Sequence, residues 1–273
     1  MKRTAFLLFG FLVAGSLALV GCEQPTDQAN DEASQKQKTD DQADKADRKA
    51  NQTDDEAAEG KIEPDPEAMA MTKQRQSEMT PKEALARLQD GNERFTGEEL
   101  LDRDLPTQVE ETAEGQYPFA AVLGCVDSRV PPEIIFDQGI GDIFSARVAG
   151  NFVNDDILGS LEFATKVAGA KVVVVLGHTS CGAVKGACDN VELGHVSSLV
   201  KNIRPAVDDV VDEDETCSSE DTETVNTIAE ANVERTVEQI RKQSSILKEL
   251  EDNGEIVIVG AMYDVKTGEV EFY

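Results

Sequence analysis

The chain has 273 residues, enough for one catalytic domain with extensions or for two small domains. It carries 54 acidic against 26 basic residues and a formal net charge of −28, which excludes a typical nucleic-acid binder because such a protein neutralises phosphates with clustered Lys and Arg. A solvated surface accounts for the acidity, and adaptation to high salt is a second hypothesis.

The N-terminal segment, residues 1–21, is typical of a secretory signal peptide. Lys2 and Arg3 precede an apolar run over residues 5–20 that is short for a membrane span. The run ends in Leu-Val-Gly-Cys22, which resembles a bacterial lipobox, a motif whose cysteine is lipidated and becomes the first mature residue. We therefore expect an extracytoplasmic protein with a lipid anchor on Cys22; an uncleaved anchor helix is the alternative.

Residues 22–79 are dominated by Asp, Gln, Lys, Ala and Glu and offer almost nothing to bury. Low hydrophobicity with dense charge predicts a disordered acidic and polar spacer, with a solvated helix as the alternative. No aromatic residue occurs between Phe11 and Phe95. The folded catalytic domain is therefore predicted over residues 80–273.

Strands and helices alternate along this domain. A capping box, Thr80-Pro81-Lys82-Glu83, begins a helix that runs to about Arg94. Further helices are predicted after Pro131 and at 155–167, 182–188, 197–211 and 225–250, and strands at 119–123, 143–148, 171–176, 256–262 and 270–272. Short apolar strands alternating with helices predict an α/β fold with a mainly parallel central sheet flanked by helices.

Two loops that follow predicted strands carry soft metal ligands: Cys125-Val-Asp-Ser-Arg129 and His178-Thr-Ser-Cys181. Sites in parallel sheets form beyond the carboxyl ends of the strands. Two thiolates and one imidazole leave a tetrahedral Zn²⁺ with one open position, and water bound there has a pKa near ~7. We predict a Zn²⁺ site formed by Cys125, His178 and Cys181.

Asp127 and Arg129 lie in the first of these loops. A carboxylate two residues from a ligand could accept a hydrogen bond from zinc-bound hydroxide, and an arginine fork could hold that carboxylate off the metal. If the pair breaks, Asp127 becomes a conditional fourth ligand that closes the site.

The pattern Cys-x-Asp-Ser-Arg followed by His-x-x-Cys-Gly resembles the signature of β-carbonic anhydrases. The surrounding sequence also resembles that family, in the segments Val130-Pro-Pro-Glu-Ile-Ile-Phe-Asp-Gln-Gly139, Arg147-Val-Ala-Gly-Asn151 and Gly177-His-Thr-Ser-Cys-Gly-Ala183. The resemblance implies reversible hydration of CO2 to bicarbonate and a proton by zinc-bound hydroxide, with Asp127 and Arg129 as the catalytic pair. It also implies a homodimer or larger assembly, with the segment after Thr80 as an arm.

Two residues are candidates for contact with the substrate. The backbone N–H of Gly182, beside a ligand and near a helix start, is suited to binding a bicarbonate oxygen. The family often has a substrate-contacting glutamine, for which Gln138 is the nearest candidate. The family's tryptophan-containing allosteric site is not expected, because the chain has no Trp.

Several alternatives stay open. The enzyme could be a sister hydrolase acting on carbonyl sulfide or carbon disulfide, and a non-catalytic zinc or bicarbonate binding protein is a further possibility. The ligands could form a structural metal site, or Cys125 and Cys181 a disulfide. Cys188 and Cys217 are most simply spare thiols, with a mutual disulfide as the alternative. His195 is interpreted as a capping or surface residue, with proton relay as the alternative.

Overall fold

A five-stranded sheet forms the centre of the computed structural model, which describes residues 65–212 and 214–273. The strands are β1 (Ala120–Gly124), β2 (Ile143–Arg147), β3 (Val172–His178), β4 (Val257–Tyr263) and β5 (Val270–Phe272). Their order is β2-β1-β3-β4-β5, with the first four parallel and β5 antiparallel to β4. The prediction of a mainly parallel sheet is confirmed. This order makes β1 and β3 neighbours, so that their carboxyl ends lie together.

Helices cover both faces of the sheet. They are α1 (Lys73–Glu78), α2 (Pro81–Thr96), α3 (Leu105–Thr112), α4 (Pro132–Ile135), α5 (Asp155–Glu162), α6 (Gly182–Cys188), α7 (Val196–Val210), α8 (Thr222–Gln243) and α9 (Ser245–Asp252). Every residue of β1 and of β3 is buried, as expected for central parallel strands. One core cluster includes Ile203 and Ile228 and the other includes Leu88 and Phe119.

The capping box of α2 forms as predicted. The Thr80 N–H donates to Glu83 Oε2 at 2.8 Å, and the Glu83 N–H donates to Thr80 Oγ1 at 3.3 Å. This exchange supplies partners for two backbone donors that the first helical turn cannot satisfy.

The long helix predicted over residues 225–250 is two helices. The backbone at Ser244 is extended, and its Oγ accepts the Leu247 N–H at 3.1 Å to cap α9. The same hydroxyl donates to Glu162 at 2.6 Å, which ties the break to α5. The helix predicted over residues 155–167 also changes, from α-helix to a π-helical turn at Phe163–Val167. Periodicity does not reveal a break that a tertiary hydrogen bond stabilises.

The predicted spacer is corrected at its C-terminal end. Residues 65–79 form a short 3-10 helix (Pro66–Ala68) and α1, and Met71 is buried. The side chain of Gln76 donates to the carbonyls of Pro118 and Ala168 at 2.7 and 2.8 Å. A polar residue that bridges two backbone carbonyls gives no hydrophobic signal, so composition alone misplaced the boundary. The predicted signal peptide, Cys22 and the rest of the predicted spacer lie outside the described residues.

Helix α3 was not predicted from the sequence. Asp104 caps it by accepting the Thr107 N–H at 3.1 Å, and Pro106 lies in its first turn. Only Gln108 among its residues is buried. The Asp-x-Pro start was the available signal.

No described helix is both apolar enough and long enough to cross a bilayer.

Candidate metal centre

Three potential ligands meet where β1 and β3 end. Cys125 follows β1 directly, His178 is the last residue of β3, and Cys181 precedes α6. One ligand atom from each residue lies within 4.8 Å of the other two, and all three residues are buried. Parallel pairing of β1 with β3 therefore brings together residues from two distant loops.

The geometry fits a tetrahedral ion. The two sulfur atoms are 4.0 Å apart, and zinc with Zn–S bonds near 2.3 Å separates sulfurs by about 3.8 Å. His178 Nδ1 lies 2.9 Å from the Thr179 carbonyl, which can only accept, so Nδ1 carries the proton. His178 Nε2 is buried and has no hydrogen-bond partner among the described residues. This unpartnered nitrogen faces the sulfurs with its lone pair free to bind a metal.

The pKa values of the two thiols shift in opposite directions. The pKa of Cys125 is lowered to about 4, chiefly because the Cys181 thiol donates a hydrogen bond to it, with a smaller contribution from the Gly150 N–H. The hydrogen bond with Cys125, together with burial, raises the pKa of Cys181. The hydrogen bond between the two sulfurs therefore favours ionisation of Cys125 over ionisation of Cys181. Both cysteines are free, so the alternative of a Cys125–Cys181 disulfide is not what the structure contains.

Arg129 holds Asp127 beside the three ligands. Its Nε donates to Oδ1 at 3.0 Å, one terminal nitrogen donates to Oδ2 at 2.8 Å, and its backbone N–H also donates to Oδ1 at 3.0 Å. These bonds hold the pKa of the Asp127 carboxyl well below its usual range. Asp127 Oδ2 is 3.9 Å from His178 Nε2, close to the metal position but engaged with Arg129.

Arg147, at the end of β2, is a site residue whose role the sequence did not reveal. Its Nε donates to the Cys125 carbonyl at 2.8 Å, and a terminal nitrogen donates to the Asp127 carbonyl at 2.6 Å. Both bonds fix the backbone that presents Cys125 and Asp127. The available signal was its place near the end of the strand predicted over residues 143–148.

The two predicted substrate contacts are placed differently. Gly182 is exposed beside Cys181, and a Cβ built on its Cα meets no atom within 4 Å, so there is open space next to this residue. Gln138 is buried: its Oε1 accepts from Arg87 at 3.1 Å, and its Nε2 donates to the Phe136 carbonyl at 2.5 Å. The structure thus engages both polar atoms of Gln138 in the core, and we correct its assignment to a structural role.

Two further expectations have structural outcomes. Cys188, at the end of α6, and Cys217 form a disulfide, so the simplest interpretation of them as spare thiols is wrong and the alternative is confirmed. His195 precedes α7, is exposed, and makes no side-chain capping bond. It is therefore a surface residue but not a cap.

Comparison with known proteins decides the family. Residues 120–270 match the family model described as "Carbonic anhydrase". "Carbonic anhydrase 2" of Mycobacterium tuberculosis is 36% identical over 194 residues, covering 69% of this chain and 90% of that protein. "Carbonic anhydrase" of Mycolicibacterium smegmatis is 37% identical over 200 residues, covering 70% and 92%. The chain belongs to the β-carbonic anhydrase family.

Solved structures of other β-carbonic anhydrases share the fold. CafA of Aspergillus fumigatus is 29% identical with a TM-score of 0.55, covering 70% of this chain and 89% of that one. The Coccomyxa β-carbonic anhydrase, solved with acetazolamide, is 26% identical with a TM-score of 0.54, covering 61% and 76%. The matched family segment contains the Cys125, His178 and Cys181 cluster and the Asp127–Arg129 pair of this β-carbonic anhydrase.

Proposed function

We propose that this β-carbonic anhydrase hydrates CO2 reversibly to bicarbonate and a proton, with Zn²⁺ held by Cys125, His178 and Cys181. The observation that carries the proposal is the buried cluster of two thiols and one imidazole beside a carboxylate that an arginine holds aside. Three protein ligands leave one position for the reacting oxygen, whereas a structural zinc site is closed by four.

The protein side chains orient the reaction. Zinc in this site lowers the pKa of a coordinated water and so supplies the nucleophile near neutral pH. With the metal bound, Asp127 Oδ2 would be placed to accept a hydrogen bond from the nucleophile and so to orient it towards CO2. Arg129 keeps Asp127 ionised and in place. Gly182, an exposed residue beside Cys181 with open space at its Cα, would donate its backbone N–H to a substrate oxygen.

The same pair provides a means of closing the site. If Arg129 releases Asp127, the carboxylate can move to the fourth metal position, since its Oδ2 is already 3.9 Å from His178 Nε2. The bidentate pair favours the open arrangement. Asp127 is therefore both the orienting acceptor and a conditional fourth ligand.

Stopped-flow measurement of CO2 hydration with a pH indicator tests the activity. Residues 23–273 would be assayed with zinc bound, after zinc removal and after zinc is restored, with Asp127→Asn as a matched variant that keeps size but loses the charge. We expect turnover that requires zinc and falls strongly in the variant. Tight zinc binding without CO2 turnover would favour a binding protein, and faster turnover of carbonyl sulfide or carbon disulfide would favour the sister hydrolase.

We also propose that the protein works outside the cytoplasm, anchored by a lipid on Cys22. The Cys188–Cys217 disulfide supports this proposal, because disulfides persist in oxidising compartments. Incorporation of a labelled fatty acid into the full chain, with Cys22→Ser as control, tests the anchor. Label that stays on the Cys22→Ser chain, or an unlabelled native chain, would contradict it.

Assembly as a homodimer or larger is part of the proposal. Strand β2 lies at the edge of the described sheet, and Phe163 and Val167 are 51% and 72% exposed on the π-helical turn after α5. An open strand edge with exposed large apolar side chains favours pairing with a second copy. Analytical ultracentrifugation should show a dimer or larger species that Phe163→Glu dissociates; a monomeric native protein would contradict the proposal.

A further inference from the structure

Helix α8 contacts one metal-binding loop directly through an asparagine side chain and reaches the other through Gly150. Asn226 Oδ1 accepts the N–H of Ser180, which lies between the ligands His178 and Cys181, at 2.8 Å. Ser180 has φ +56°, a left-handed conformation that is uncommon for a residue with a side chain. The hydrogen bond from α8 therefore stabilises a turn of unfavourable backbone geometry between two ligands.

The second asparagine is connected to Cys125 through Gly150, which follows β2. Asn232 is 3% exposed, and its Nδ2 donates to the Gly150 carbonyl at 2.8 Å. The Gly150 N–H in turn donates to Cys125 Sγ at 3.4 Å. One glycine thus joins the asparagine to the metal-binding sulfur through its two peptide groups.

Gly150 is confined on its other side as well. Its φ is +82°, and a Cβ at this position would lie 2.4 Å from Ile203 Cδ1 on α7. Only glycine fits here, and it lies against the packed core. Asn232 holds its carbonyl while the core limits its movement, so the Gly150 N–H is kept aimed at the sulfur.

We propose that Asn232 and Asn226 are positioning residues of the metal centre, Asn232 by keeping the Gly150 N–H bonded to the Cys125 sulfur and Asn226 by fixing the turn between His178 and Cys181. The proposal rests on the metal site of the proposed function, but it concerns metal affinity and not CO2 turnover. Groups that orient metal ligands typically contribute 10- to 100-fold to metal affinity or activity.

The chain offers a close control for Asn232. Asn92 on α2 is also buried, and its Nδ2 also donates to backbone carbonyls, those of Ile135 and Gly268, at 3.0 and 2.9 Å. Its bonds belong to the other core cluster and reach no ligand loop. Asn232→Leu and Asn92→Leu therefore each remove a buried amide that donates to backbone carbonyls, and only Asn232 is connected to a metal ligand, through Gly150.

The experiment measures zinc affinity of the purified enzyme by competition with a chromogenic chelator, and the thiolate-to-Co²⁺ absorption band of the cobalt-substituted enzyme. Asn232→Leu should raise the zinc Kd by about tenfold or more and shift the cobalt band. Asn92→Leu should leave both unchanged although it also lowers the Tm. Equal zinc affinity in all three proteins, or an equal loss in both variants, would overturn the role of Asn232.

Asn226 provides a second test that does not depend on a buried substitution, because its side chain is only partly buried. Asn226→Ala should weaken zinc binding by about tenfold, and Asn226→Asp, which keeps the accepting oxygen, should restore most of it. Unchanged affinity in Asn226→Ala, or no rescue by Asn226→Asp, overturns the role of Asn226. A protein that shows these changes in Kd but no CO2 hydration would contradict the proposed function alone.

Discussion

Arg129 and Asp127 are joined by two side-chain hydrogen bonds and one backbone hydrogen bond within a three-residue stretch. The arginine is half exposed, so its main effect is to hold the carboxylate and not to stabilise the fold. A planar fork with fixed donors suits this task, whereas a lysine offers only a point charge.

Arg129→Ala is expected to lower kcat/KM for CO2 hydration by about 100-fold, because a displaced orienting group costs about that much. Zinc content should remain at one per chain, since the three ligands are untouched. Stopped-flow kinetics measures kcat/KM, and metal analysis measures the zinc content. The kcat/KM of Arg129→Lys should lie between that of Arg129→Ala and that of the native enzyme. Near-native turnover in Arg129→Ala would show that Asp127 needs no partner.

Zinc binding should release about one proton from the two ligand thiols near pH 7.5. The pKa of Cys125 is lowered to about 4, so this thiol is already ionised, whereas the pKa of Cys181 is raised and its thiol still carries a proton. Both sulfurs must be thiolates in the zinc complex. Zinc affinity should therefore increase by about tenfold per pH unit while Cys181 remains protonated in the metal-free protein.

Calorimetric titration of zinc into the metal-free protein in buffers of different ionisation enthalpy measures the protons released. Cys188 and Cys217 contribute none, because their disulfide does not titrate. Release of two protons from the thiols would show that Cys125 is protonated as well, contrary to its lowered pKa.

The sequence was most informative where one residue type has one physical meaning. Buried apolar runs located β1, β3 and β4 to within a few residues, and Cys125, His178 and Cys181 followed from the ligand chemistry of zinc. The Thr80 capping box likewise marked its helix. These features depend on local sequence patterns, so a single sequence is enough to predict them.

Features that depend on contacts between residues far apart in the sequence could not be predicted from it. Gln138 is bonded to Arg87, which is far away in sequence, and Gln76 reaches carbonyls that are 42 and 92 residues away along the chain. The break at Ser244 depends on Glu162 in the same way. A polar residue without a repeating pattern carries no local sign of its partner, so the fold must be known before its role can be assigned.

Removing the Cys188–Cys217 disulfide should destabilise the protein by about 3 kcal/mol, since it closes a 29-residue separation in the unfolded chain. For a domain of this size that corresponds to a fall in Tm of roughly 6–12 °C. The paired variant Cys188→Ala with Cys217→Ser, followed by differential scanning calorimetry, checks this. Hydration activity at 25 °C should be retained, because neither cysteine belongs to the metal cluster.

A phosphine reductant separates the disulfide from other effects of the substitution. It should lower the Tm of the native enzyme to that of the paired variant and leave the paired variant unchanged. If reduction did not change the Tm of the native enzyme, and a thiol assay before reduction found Cys188 and Cys217 as free thiols, the disulfide would not form in the purified protein.

Arg87 and Asp142 form a buried ion pair, with exposed side-chain fractions of 4% and 0% and a nitrogen–oxygen distance of 3.0 Å. The guanidinium also lies 4.7 Å from the centroid of the Phe119 ring and donates to Gln138. Asp142 accepts the Gly139 N–H at 2.9 Å, so the pair links α2 to the loop before β2. Breaking such a pair from one side leaves an uncompensated buried charge.

Arg87→Met should therefore reduce the free energy of unfolding by about 3–5 kcal/mol. Adding Asp142→Asn to that variant removes the stranded charge, so the double variant should be more stable than Arg87→Met alone. Urea denaturation followed by circular dichroism measures both values, with CO2 hydration as a control for the metal centre. If Arg87→Met reduced the free energy of unfolding by less than about 1 kcal/mol, the ion pair would contribute no more than a surface salt bridge. The buried network around Gln138 would then not be what holds α2 to the sheet.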